Sequence, residues 1–202
     1  DLAINNLVGK IPEDLGKLQN LTWLSLSMNS LSGTIPPGFG RNSKLETFHV
    51  SSNSLVGKLP ENLCYYGELL NLTAFENSLS GELPKSLGNC SSLLDLKIYS
   101  NEFSEKLSLN ISRFEIANNQ FSGRIPSGVS SWTNVVVFDA SNNFLNGSIP
   151  QEITSLPKLT TLLLDQNQLN GPLPSDIVSW KSLAKFHLNF LDSPISICHL
   201  II

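Results

Sequence analysis

Apolar positions recur along this chain in a fixed unit. Leu21, Leu24, Leu26 and Asn29 spell Leu-X-X-Leu-X-Leu-X-X-Asn, and Leu159, Leu162, Leu164 and Asn167 repeat it. Other copies keep the apolar character: Leu45, Phe48 and Val50; Leu69, Leu72 and Ala74; Leu93, Leu96 and Ile98; Ile111, Phe114 and Ile116; Val135, Phe138 and Ala140. Each Asn opens a second motif, Asn-X-Leu-X-Gly-X-Ile-Pro and its close variants. That motif reads at 5–12, 29–36, 53–60, 77–84, 119–126, 143–150 and 167–174, with a damaged copy from Asn101. The step is 24 residues except for one of 18, between Asn101 and Asn119. Self-similarity at such a period predicts a solenoid in which each unit buries its apolar side against its neighbours.

The last two apolar positions of each unit alternate with polar ones, which is the period of a short strand with one buried face. Stacked copies then form a parallel sheet lining a concave face. The recurring Asn, at 29, 53, 77, 101, 119, 143 and 167, is expected inside the turn. There its amide can satisfy backbone groups that would otherwise be buried unpaired. Beyond it, Gly permits close backbone approach and Pro fixes φ on the convex return, predicted as loop and 3-10 turns. An apolar residue three places past each Pro (Leu15, Phe39, Leu63, Leu87, Val129, Ile153, Ile177) fills the core from behind.

Composition narrows the class of partner. Hydrophobic residues make up 41% and charged ones 15%, with a net charge of -4 and a pI near 5.3. An acidic chain without a basic run is a poor match for nucleic acid. The apolar run near one end, 195–202, is far shorter than the ~20 residues a bilayer span needs, so no membrane contact is expected. The chain opens at Asp1 with neither the basic nor the apolar region of a secretory signal. Asn-X-Ser/Thr sequons at Asn20, Asn71, Asn89, Asn110 and Asn146 together point to the secretory pathway. Cys64 and Cys90 lie eleven and thirteen residues past their own repeat Asn on adjacent turns, which permits a disulfide without requiring one. Cys198 would then be a free or intermolecular thiol.

The Leu-X-Gly-X-Ile-Pro extension resembles the plant-specific leucine-rich repeat subclass. Residues 58–64, 88–93, 97–104, 110–116 and 162–169 are similar to ectodomains of receptor-like kinases close to the HAESA type. The resemblance implies an extracellular module that binds a small secreted peptide and then recruits a co-receptor ectodomain, with no catalysis in this chain. It covers 1–188, about eight turns. From 189 to 202 the pattern is lost: Leu191 stands where the next Asn is due, and Ile195, Ile197, Leu200, Ile201 and Ile202 are expected to fold over the end of the core as a makeshift cap. Family ectodomains have more repeats and paired-cysteine caps, so the chain reads as a shortened or truncated member. The short step, with Glu105 at the Gly position, is expected to be a compressed turn that bends the solenoid.

Candidate binding residues are those six, four, two and one places before each repeat Asn, all expected to be exposed strand positions. Phe75 and Tyr99 share a column on adjacent strands as an aromatic ledge. Glu115, Asp139 and Asp165 form an acidic patch on successive strands, and Arg113 lies among them. Family receptors often hold a peptide carboxylate with an Arg-X-Arg pair. Here the comparable strand reads Asp95-Leu96-Lys97, so Lys97 can supply one charge, but Asp95 opposes it and there is no Arg fork. A glycan on Asn71 would stand beside Phe75. The neighbouring carboxylates lack the enclosed cleft that glycoside hydrolysis needs, and His49 and His187 are strands apart, so neither an enzyme nor a metal or cofactor site is expected. The rival readings are a secreted inhibitor of a cell-wall hydrolase, similar to polygalacturonase inhibitors, and a fragment without a ligand of its own. Leu2, Ile4 and Leu7 lack a cap, which predicts self-association.

Overall fold

A computed structural model describes residues 1–104 and 113–188. The Asn110 sequon, Glu105, Cys198 and the expected tail at 189–202 lie outside the described residues.

Eight three-residue strands build one parallel sheet in strict sequence order: Trp23–Ser25, Thr47–His49, Asn71–Thr73, Asp95–Lys97, Arg113–Glu115, Val137–Asp139, Thr161–Leu163 and Lys185–His187. Every neighbour is parallel and in the same register, so Trp23, Thr47, Asn71, Asp95, Arg113, Val137, Thr161 and Lys185 form one column. The central residue of each strand is buried, Leu24, Phe48, Leu72, Leu96, Phe114, Phe138, Leu162 and Phe186 in turn. The flanking residues form the opposite, concave face. The repeat apolar residues join into one core along the solenoid, with Phe114 and Phe138 stacked at 5.5 Å and Trp132 edge-on to both.

The repeat asparagines behave as an internal ladder. Asn53 donates from Nδ2 to Val50 O (3.2 Å) and Ser51 O (3.1 Å) in its own coil and to Leu26 O (3.0 Å) in the preceding one. Its Oδ1 accepts from Leu31 N at 2.9 Å. Asn29, Asn77, Asn101, Asn119, Asn143 and Asn167 repeat this, so each amide ties two coils together through backbone groups. The short step does not break the ladder. Asn119 accepts from Phe103 N (3.0 Å) and donates to Ile98 O (3.0 Å), and Arg113–Glu115 pairs with Asp95–Lys97 in full register.

The convex side carries 3-10 turns at Glu13–Lys17, Ser127–Ser131, Gln151–Ser155 and Ser175–Ser179, and one helical turn at Lys85–Gly88. Between concave strand and convex turn the return segments form further parallel sheets, which the repeat pattern did not disclose. Val8–Lys10, Ser30–Thr34, Ser54–Gly57, Ser78–Gly81 and Glu102–Phe103 make one; Ser122–Arg124, Phe144–Gly147 and Gln168–Leu169 make another. The motif glycines lie in or just beyond these strands at positive φ, 81° at Gly57 and 74° at Gly147, a region costly for a residue with a Cβ.

One expectation is corrected. Neither of the two residues before each repeat Asn is a strand position, since each concave strand ends four places before it, and Ser25, Thr47, Ser51 and Ala117, expected to be exposed, are buried. Ile4, Met28, Ser52, Glu76, Ser100, Asn118, Asn142 and Gln166 all have φ between 51° and 58°, the left-handed region, because the chain must turn there to bring the Asn inward.

Candidate functional site on the concave face

The strand geometry sorts the sequence-predicted residues into columns. Asp95 and Arg113 lie side by side in the first, Lys97, Glu115 and Asp139 in the second. Phe75, Tyr99 and Asp165 follow two residues after their strands. The structure therefore gathers the predicted residues on one surface, though not in the groupings the sequence suggested.

Charges on the middle strands neutralise one another. Lys97 Nζ lies 3.4 Å from Asp95 Oδ2, and Arg113 donates to Glu115 at 3.1 Å. Across the strands Asp95 faces Arg113 and Lys97 faces Glu115, so the four charges alternate in a square. Lys97 is thus not a lone cation. Asp95 Oδ1 is buried without a partner among the described residues. Glu115 is drawn out of the acidic patch by Arg113. Asp139 accepts from Ser141 N (3.1 Å) and Ser141 Oγ (2.7 Å), whereas the Asp165 carboxylate has no partner among the described residues.

Phe75 and Tyr99 stack face to face, ring centroids 4.5 Å apart and planes within 8°. Burial, with the Glu76 and Glu115 charges beside it, pushes the Tyr99 hydroxyl above its usual range. A second pair, which the sequence reading did not single out, lies further along: Trp23 meets His49 edge-on at 6.5 Å. Burial holds the His49 imidazole below its ordinary value; the Asp95 charge opposes that shift and Lys97 adds to it. No spacing rule couples residues one coil apart at different columns, so this pair was not legible beforehand.

Among the sequons, Asn20, Asn89 and Asn146 are exposed, on a loop, at the end of the convex helical turn and in a side-sheet strand. Asn71 is half-buried within a concave strand. On the convex side Cys64 and Cys90 are joined by a disulfide, with Cα atoms 5.9 Å apart.

Parallel coils, an internal Asn ladder and a polar concave sheet define the class: the chain is a leucine-rich repeat protein. The leucine-rich repeat family model matches residues 20–42, 44–66 and 158–180. Within that class it is of the plant-specific kind and is similar to plant receptor kinase ectodomains. It is 33% identical to PEPR1, solved with AtPEP1, at a TM-score of 0.88 over 93% of this chain and 27% of that one. It is 29% identical to the Arabidopsis receptor kinase HAESA, solved with the peptide hormone IDA and the co-receptor SERK1, at a TM-score of 0.73 over 92% of this chain and 38% of that one. A plant ice-binding protein is 28% identical, with a TM-score of 0.76 over 93% and 63%. Comparison with curated proteins gives no match. The chain spans about a quarter to two fifths of the receptor ectodomains it matches.

Proposed function

We propose that this chain is part of an extracellular, non-catalytic plant receptor module whose concave face binds an extended secreted peptide. The observation that carries the reading is the Phe75–Tyr99 ring stack on an eight-stranded polar sheet. Strands ~4.8 Å apart make that face roughly 35 Å long, the span of about ten extended residues. A backbone with fixed register offers evenly spaced side chains, and a half-buried aromatic pair supplies the apolar anchor that partner surfaces use. PEPR1 and HAESA, both solved with peptides, support the assignment, and the HAESA complex supports a co-receptor ectodomain as second partner.

The Asp139 and Asp165 carboxylates on adjacent coils favour one alternative, an inhibitor that meets a cationic patch on a cell-wall hydrolase. One experiment separates the two. The immobilised chain is exposed to plant apoplastic fluid, and bound peptides and hydrolases are both scored by mass spectrometry. Peptides short enough to lie along the face are expected. A hydrolase alone would establish the inhibitor; recovery of neither would refute both.

A further inference from the structure

The ring stack ends abruptly at Tyr99. The column two places before each repeat Asn reads Ser27, Ser51, Phe75, Tyr99, Ala117, Ser141 and Asp165. Phe75 and Tyr99 repeat at 4.5 Å, close to the ~4.8 Å between strands, so each ring fills one coil of the column. On the next coil the column shrinks to Ala117, a buried methyl that cannot reach ring height. Ser141 follows, its hydroxyl turned to Asp139. No ring of the described residues contacts Tyr99 other than Phe75. From Tyr99 to Ser141 is two coils, about 9.6 Å at that spacing, which admits one further ring in offset stacking. Two coils beyond Ala117 in the same column stands Asp165, whose carboxylate has no partner among the described residues. The separation from Ala117 to Asp165, again about 9.6 Å, equals three residues of extended chain at ~3.3 Å each.

We propose that the ligand places an aromatic side chain over Ala117 as a third ring beyond Tyr99, with a cationic residue three positions away on Asp165. The inference rests on the concave face being the peptide surface, and it names which peptide chemistry that face selects. Charge complementarity sets the cation: Glu115 is occupied by Arg113 and Asp139 by Ser141, so Asp165 is the carboxylate of the patch left to receive one. The ring supplies stacking area, and the short Ala117 side chain places no ring of its own on that coil. A larger residue at 117 would take that place.

The test uses four blocked tetrapeptides: Phe-Gly-Gly-Arg, its reverse Arg-Gly-Gly-Phe, Leu-Gly-Gly-Arg and Phe-Gly-Gly-Glu. Binding to the whole chain is followed by NMR with alanine methyl groups labelled. One of the two Phe/Arg orders is expected to shift the Ala117 methyl upfield in a saturable way. Leu for Phe and Glu for Arg should each weaken binding about fivefold or more. Ala117→Leu should erase the preference for Phe over Leu, and Asp165→Asn, at a surface position, the preference for Arg over Glu. Equal binding of the Phe and Leu peptides, no shift at Ala117, or an unchanged Arg preference in Asp165→Asn would overturn the proposal. The wider reading fails differently: apoplastic peptides captured by the chain and unaffected by Ala117→Leu would leave it standing, while capture of none would remove it.

Discussion

At the residue scale the ladder amides carry the most stability per side chain. Asn143 is 5% exposed and bonds Ile116 O, Ala140 O, Ser141 O and Phe121 N. Asn143→Leu fills the same space but leaves Phe121 N buried without an acceptor and takes one of two donors from each of the three carbonyls, a loss of about 3 kcal/mol. Asn29 makes the same kinds of bond at a wetter coil, where water can substitute, so Asn29→Leu should cost nearer 1 kcal/mol. Urea unfolding of both variants checks the ratio. The left-handed residues before each ladder Asn offer the reverse effect. A non-glycine side chain there costs about 1–2 kcal/mol, and Gln166→Gly, at φ 55°, should raise stability by roughly 0.5 kcal/mol after the glycine entropy is set against it. Ladder position was fully legible because one residue type recurs. The left-handed position was not, since Ile, Met, Ser, Glu, Asn and Gln all occupy it and only the turn geometry is conserved between coils. His49 adds a pH term. Its folded pKa lies below the ordinary 6.5, so the unfolded chain takes up protons first as pH falls. The stabilisation is therefore present above about 6.5 and lost as pH drops through 6.5 toward the lower folded value. Thermal unfolding of wild type and His49→Gln should run parallel above that pH and diverge below it, with wild type losing more.

At the element scale the convex turns are set by contact between backbones. Gly40 has φ 77°, and a Cβ there would fall 2.2 Å from Asn62 O and 2.6 Å from Leu63 Cα. Gly40→Ala must push two coils apart as well as strain its own backbone, and we expect a loss of about 3 kcal/mol in thermal unfolding. Gly128, which meets nothing within 4 Å, should accept Ala with little change. The convex 3-10 turns were legible from Pro and the apolar residue three places on. The side sheets were not, because Ser-Leu-Ser-Gly or Phe-Leu-Asn-Gly is too short to show a period and pairs only through neighbouring coils. The same limit hid the charge square. Sequence placed Lys97 and Arg113 on the concave face, but their partners are decided by rotamers and by the register between strands.

For the whole molecule, coils touch only their neighbours, so the fold is a chain of local interfaces and the functional surface is whatever the columns present. The fold was legible from period alone, and the eight concave strands fall at the positions the repeat assigns. Which face binds was legible only as a list of exposed positions; pairing within that list emerged from three dimensions. Every functional statement rests on the concave sheet as the ligand surface, and photo-crosslinking tests that most directly. A peptide captured from apoplastic fluid is rebuilt with a photoreactive residue, and its attachment sites on the chain are mapped by mass spectrometry. Attachment within the concave columns, from Trp23 to His187 and including Tyr99, is the predicted result. Attachment confined to the side sheets or the convex turns would contradict the account.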